Sequence, residues 1–259
     1  MSIGRKVYLG LINIKKHIMT RYLFKYLFLA IIILFSGCAA FRPVDPDVVE
    51  KVTDIDGNSY ETVTIGEQEW FAENLRVTRY RNGDSINGSL PENEWYSAEE
   101  GAYFRYDDDK GSDKIYGKLY NWYAVIDQRS LCPEGWTVPA DSDWKQLEIY
   151  LGLDPEDADE YGARGTDEGG KLKIKGTTYW TSPNDGATNE SGFTALPGGY
   201  VGGFYFIGLF GSWWTTTEIH ELNAWSRLLD HYTAKIYRLS NDKKEGFSVR
   251  CIREQTNID

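Results

Sequence analysis

A mixed fold of helix and short strands is predicted by three features that occur together. Residues 141–151 carry one well-patterned amphipathic helix, short alternating strand segments flank it on both sides, and glycine-rich loops separate the strands after residue 169. With 259 residues, eighteen tyrosines, eleven phenylalanines and nine tryptophans, the chain can enclose one large aromatic core, and its length calls for no second domain.

Before the domain comes an export pattern. Residues 26–35 are uninterrupted hydrocarbon, far shorter than the roughly 20 residues that span a bilayer. Arg21 and Lys25 precede this run and the small Ser36-Gly37 follows it, so residues 1–37 read as a signal peptide, with its start at Met1 or Met19. Leu34-Phe-Ser-Gly-Cys38 resembles a bacterial lipobox, whose cysteine becomes the lipidated first residue; the other reading is an ordinary cleavage that leaves Cys38 a free or disulfide-bonded thiol. Ala39 resembles an outer-membrane sorting residue, and acylation would supply the two or more chains that stable anchoring needs. The expected location is therefore the outer membrane, lipid-anchored, on the surface or the periplasmic face. Residues 38–53, with Pro43 and Pro46 and no periodicity, read as a lipidated N-terminus and flexible tether.

Of the 28 lysines and arginines, six precede Cys38 and no acid does, which leaves 22 basic against 39 acidic residues, a formal charge of −17. A surface of that sign repels phosphate backbones, which argues against nucleic acid as a partner.

The domain is expected over residues 54–253, with a tail at 254–259. Asp54-Ile-Asp-Gly57-Asn58 is a turn signature, Tyr60 to Ile65 alternates as a half-buried strand, and Glu69 to Arg76 completes a hairpin. Residues 79–97 read as loop and 102–106 as strand. Asp107 to Asp113 clusters carboxylates but fails the EF-hand test, because position 6 is Ser112 and position 12 is Lys118; a solvated acidic loop is expected, with no metal. Apolar residues at 116, 119, 120 and 123 suit a short helix. Cys132-Pro-Glu-Gly-Trp-Thr-Val-Pro139 then leads into the main helix, where Trp144, Leu147 and Leu151 form the apolar stripe and Asp141 and Asp143 favour the N-terminal end of the macrodipole. Gly152 stops it. Residues 154–170 read as a surface excursion. Strand fragments are expected at 171–174, 179–181, 192–200, 204–210 and 213–216, and a closing antiparallel meander at 224–229, 234–239 and 246–252, with Cys251 on its last strand.

If Cys38 is acylated, only Cys132 and Cys251 remain, and an exported protein with two cysteines usually joins them. Closing a loop of about 120 residues would add about 4 to 5 kcal/mol in the chain-entropy model. The alternative, a thiol nucleophile or metal ligand, finds no histidine or second thiol in either flank.

An ordered series of segments carries a family resemblance. Asp56-Gly-Asn-Ser-Tyr60, Thr64-Ile-Gly-Glu-Gln-Glu-Trp-Phe-Ala-Glu-Asn-Leu75, Tyr116-Gly-Lys-Leu-Tyr-Asn-Trp-Tyr-Ala124, the Cys132 segment with Trp144, Gly170-Lys-Leu-Lys173, Asn189-Glu-Ser-Gly-Phe193, Leu196-Pro-Gly-Gly-Tyr200, Trp214-Thr-Thr-Thr-Glu218 and Gly246-Phe-Ser-Val-Arg-Cys251 resemble the Fibrobacter succinogenes major paralogous domain, a module of bacterial surface lipoproteins. That family is similar in fold to the C-type-lectin-like superfamily, which includes the formylglycine-generating enzymes. The resemblance implies a single α+β domain with a twisted antiparallel sheet, two short helices and long glycine-rich loops on one side. It also implies that the Trp136/Trp144 helix lies beside the Cys251 strand.

Three functional classes follow. A metalloenzyme related to the formylglycine-generating enzymes would need reactive cysteines or a histidine cluster; here the cysteines suit a disulfide, and after Cys38 only His220 and His231 occur, leaving a mixed site with Glu218 or Asp230 as the sole variant. No catalytic residue and no cofactor is assigned. A binding module is favoured, because the resemblance implies that the glycine-rich segment from Pro183 to Trp214 supplies the ligand surface. There Asn184, Asp185, Asn189, Glu190, Tyr200, Phe204, Tyr205 and Trp213 are the candidates, since aromatic faces beside amides and carboxylates suit a glycan or a protein ligand. The competing reading of these aromatics is core. The third class is a structural or display subunit with no discrete pocket. Asp84-Ser-Ile86 resembles a short O-glycosylation acceptor.

Overall fold

The computed structural model describes residues 51–88, 90–105, 110–201 and 206–255, all within one compact unit, Val49–Asp259. The expected signal peptide, Cys38, most of the tether, the Asp107 end of the acidic loop, Phe204 and Tyr205 lie outside the described residues.

The first strands follow from a local turn. Asp54 Oδ1 accepts the backbone N–H groups of Asp56 and Asn58 at 2.9 Å each, which folds β1 (Lys51–Thr53) back antiparallel onto β2 (Ser59–Ile65), and β2 continues into β3 (Gln68–Phe71). Lys51–Thr53, assigned to the tether on sequence, is thus an edge strand. Next come β4 (Asn87–Gly88), α1 (Glu92–Trp95) and β5 (Ala102–Phe104). The helix expected across 116–124 is in fact three pieces, α2 (Lys110–Tyr116), β6 (Leu119–Tyr120) and α3 (Trp122–Val125). Gly117 leaves α2 at a φ of 78°, and the Asn121 side chain accepts the Ala124 N–H to start α3. Lys110 to Asp113, read as acidic loop, is the start of α2.

After β7 (Trp136–Thr137), helix α4 (Asp141–Tyr150) forms where its pattern predicts. Its entry is fixed by Asp143, which accepts the Ala140 N–H at 2.7 Å. The expected excursion at 154–170 contains β8 (Gly162–Arg164) and the start of α5 (Glu168–Leu172), and the strand expected at 171–174 is the end of that helix. Two residues decide this: a Cβ on Gly169 would lie 2.2 Å from the Lys235 carbonyl oxygen, and one on Gly170 2.2 Å from that of Gly186. The glycine pair lets α5 press directly on backbone, a contact that sequence periodicity does not register. Residues 179–181 form turns rather than a strand.

The chain closes with β9 (Phe210–His220), β10 (Asn223–Asp230), β11 (Ile236–Asp242) and β12 (Ile252–Arg253). β10 and β11 pair as the expected meander requires, in a sheet that β9 and β8 complete in the order β8-β11-β10-β9. The last strand of the expected meander does not join them. β12 instead enters the sheet β1-β2-β3-β12-β7, pairing Ile252 with Trp70 and Thr137. A third sheet, β4-β5-β6, contains a parallel pair. The architecture is α+β, with three small sheets and five short helices among the described residues where one sheet and two helices were expected.

Strand alternation divides the aromatic core. Neighbours in sequence point to opposite faces, so Phe71 and Trp214 join Tyr60, Trp136 and Phe247 in one cluster, while Trp70 and Trp213 join Trp144, Leu147 and Phe193 in another. The disulfide Cys132–Cys251, with Cα atoms 5.9 Å apart, lies in the first cluster beside the β7/β12 ladder.

Candidate ligand-binding site

The meander sheet has two unlike faces. On one, Arg227 of β10 and Arg238 of β11 meet helix α4. Arg227 donates to Asp141 at 2.8 Å and to Glu148 at 2.5 Å, Arg238 to Asp141 at 2.9 Å, and Arg164 of β8 to Glu148 at 2.8 Å. The side chains of Arg227 and Glu148 are 0% exposed, so each charge depends on its partners. Burial alone would raise the Asp141 carboxyl, yet the Arg238 and Arg227 guanidiniums hold it well below the usual carboxylate range. This face is scaffold.

The other face opens into a pocket of about 170 Å³. Ser212 of β9, Ser226 of β10 and Asn241 of β11 form its polar floor, and Tyr200, Phe210 and Phe247 stand around it. The Tyr200 ring lies 6.0 Å from that of Phe247 at 81°, and 6.5 Å from that of Phe210. Ser226 donates its hydroxyl to Asn241 Oδ1 at 2.7 Å, and Asn241 Nδ2 donates to Glu245 Oε2 at 2.7 Å. Ser212 is 1% exposed, and its hydroxyl has no partner. Burial, with the nearby charge of Asp242 and against the Asn241 hydrogen bond, pushes the Glu245 carboxyl up to about 7. Burial and Glu245 in turn raise the Tyr200 phenol. A wider cleft of about 620 Å³ lies by Glu99, Tyr123 and Arg129, but there Arg129 is already held by Asp127 and Asp84.

Of the residues singled out on sequence, Tyr200 lines this pocket. Trp213 does not: it is fully buried in the opposite cluster and donates its indole N–H to Asn74 at 2.9 Å. Asn184 is a structural staple, buried, with φ 50° and its amide donating to the Ile174 and Gly176 carbonyls. Asn189 accepts the Thr194 N–H and so braces its own loop, while Asp185 and Glu190 are exposed and line neither cavity. Lys173 accounts for the order of this segment. Its fully buried ammonium donates to the carbonyls of Asp185, Asp230 and Thr233 at 2.8–2.9 Å, and burial pushes it down to about 8. Ser212, Ser226, Asn241 and Glu245 were missed. The available signal was a polar residue on each of three adjacent strands at positions that share one face. His220 and His231 sit at opposite ends of the β9/β10 hairpin, roughly 26 Å apart at the rise of a strand, so no single site draws on both.

Residues 63–253 match the family model described as the Fibrobacter succinogenes major domain. The chain belongs to that family. No curated protein and no solved structure matches it. In this Fibrobacter succinogenes major domain, the Tyr116 and Gly246–Cys251 segments and Trp213 of β9 converge on Asn74. Its Oδ1 accepts Trp213 Nε1 and Arg250 Nε at 2.9 Å, and its Nδ2 donates to the Tyr116 carbonyl at 2.8 Å and to Ser248 Oγ at 3.2 Å. Arg250 is buried without a carboxylate; it donates instead to the carbonyls of Phe71, Phe193 and Thr194, and burial pushes its guanidinium down to about 9. Asn74 is therefore a joint between elements.

Proposed function

We propose that the chain is a non-catalytic, lipid-anchored outer-membrane module, on a C-type-lectin-like scaffold, that captures an extracellular glycan or protein ligand in the Tyr200 pocket. One observation carries this reading: a concave site in which the buried Ser212 hydroxyl lacks a partner while aromatic rings stand around it. Buried polar groups are ordinarily satisfied, and an orphan at the floor of a pocket is what a ligand would satisfy. The lipobox-like Cys38 and the acidic remainder of the chain support an exported, anchored protein that repels nucleic acid.

The test is a glycan, peptide and matrix-protein binding screen with the full-length protein in detergent. Capture is expected, and Tyr200→Ala should weaken it by about tenfold, the loss of one aromatic contact, with the fold intact by circular dichroism. A blank screen would replace this reading with the structural or display subunit. Stoichiometric iron or copper with substrate turnover would replace it with the metalloenzyme.

A further inference from the structure

The pocket's chemistry narrows the ligand, on the footing that the pocket binds one. Its hydrogen-bonding groups are mostly acceptors. Ser226 has committed its hydrogen to Asn241, and Asn241 passes a donor on to Glu245, so Ser226, and Glu245 once it is ionised, face the cavity with lone pairs and no hydrogen to give. Ser212 adds a buried hydroxyl with no partner, whose two lone pairs are open to a donor. Among the described residues no lysine, arginine or histidine pairs with Glu245. A part-buried carboxylate is ordinarily paired, as Asp141 and Glu148 of helix α4 are with Arg227, Arg238 and Arg164.

The walls fit the same occupant. Tyr200, Phe210 and Phe247 present rings at steep mutual angles, and aromatic corners of this kind attract cations through the ring quadrupole. The volume of about 170 Å³ compares with the roughly 150 Å³ apolar cavity that holds one benzene molecule, so one small head group enters and a whole oligosaccharide does not. The net charge of −17 from Cys38 onward draws a cation towards the domain.

We propose that the pocket binds an organic cation, a primary ammonium or guanidinium head on an alkyl stem, with Glu245 as its counter-ion, Ser212 and Ser226 as acceptors and Tyr200, Phe210 and Phe247 as its aromatic walls. An ammonium brings three donors and a guanidinium five, neither brings an acceptor, and this complements a floor of acceptors. A neutral sugar hydroxyl brings an acceptor for each donor and leaves the carboxylate charge uncompensated. The head could belong to a free amine or to a lysine or arginine of a partner protein.

The experiment is a titration of the full-length protein, followed by chemical-shift perturbation, with butylammonium, butylguanidinium, 1-butanol, methyl glucoside and the blocked tripeptide Gly-Lys-Gly. The cations are expected to bind at least about tenfold more tightly than 1-butanol, and Glu245→Gln, which keeps an oxygen for the Asn241 amide, should reduce that preference to under about threefold. Ser212→Ala should weaken the cations while leaving 1-butanol unchanged. Tighter binding of the tripeptide than of butylammonium assigns the head to a partner's side chain, and the reverse order assigns it to a free amine. Equal affinity for butylammonium and 1-butanol, or an unchanged preference in a folded Glu245→Gln protein, overturns the proposal. Methyl glucoside binding in a Tyr200-dependent way while the cations do not bind sinks the cation assignment and leaves the binding function standing. A blank with every probe, together with a blank ligand screen, sinks both.

Discussion

Glu245 carries a titration that a fully exposed glutamate would not. Its carboxyl lies near 7 in the fold against 4.5 as the ordinary value, so between these values the native state holds a proton that the unfolded chain has released. This group therefore favours the fold below about pH 4.5, and that contribution is lost as the pH rises to 7. Glu245→Gln removes the titration and keeps the hydrogen bond to Asn241. The difference in urea stability between the two proteins is expected to change by about 1–2 kcal/mol across pH 4.5–7, after allowance for the solvent that still reaches the group. A variant with the parent's pH profile would assign the shift elsewhere. At the same scale, Tyr200 was legible in the sequence because an aromatic in a glycine-rich loop is conspicuous. Ser212, Ser226 and Asn241 were not, because each is an unremarkable strand residue until three strands align. Trp213 misled for a related reason: its type suits a ligand surface, and only the register of β9 turns it inward.

At the scale of the element, α4 was predicted from its stripe of Trp144, Leu147 and Leu151, and the pattern is local enough to be read directly. What the stripe does not reveal is the polar half of its attachment. Asp141 and Glu148, one near each end of the helix, are gripped by arginines from three strands. Removing a carboxylate leaves buried guanidiniums without a counter-charge. Glu148→Gln is expected to destabilise the protein by about 3–5 kcal/mol, read as a lower urea midpoint with an unchanged slope. A loss under about 1 kcal/mol would mean that the Ala158 carbonyl and neighbouring acceptors suffice for Arg164. The helix α5 and the broken segment from 110 to 125 escaped sequence reading for the opposite reason. They are one- or two-turn elements set by close backbone contact and tertiary pairing, and their periodicity is too short to count.

At the scale of the whole molecule, the Cys132–Cys251 bridge closes a separation of 119 residues. Reduction, or Cys132→Ala with Cys251→Ala, is expected to lower stability by about 4–5 kcal/mol in the chain-entropy model. Chemical denaturation with and without reductant measures it, and coincident curves would show the bridge to be dispensable. The pairing was readable from cysteine arithmetic once Cys38 was read as the acylated residue. The placement of β12 was not, since Gly246 to Arg253 has the texture of a meander strand and yet crosses to the other sheet, where the bridge holds it next to β7.

The meander sheet, finally, works like a page written on both sides. Residues 213, 227 and 238 hold the domain together from one side, and residues 212, 226, 228, 239 and 241 shape the pocket from the other. Because the two sets interleave along the same strands, the text of the pocket side can be rewritten residue by residue while the binding of the volume stays intact. One spine of this kind holds whichever text is written on its reverse.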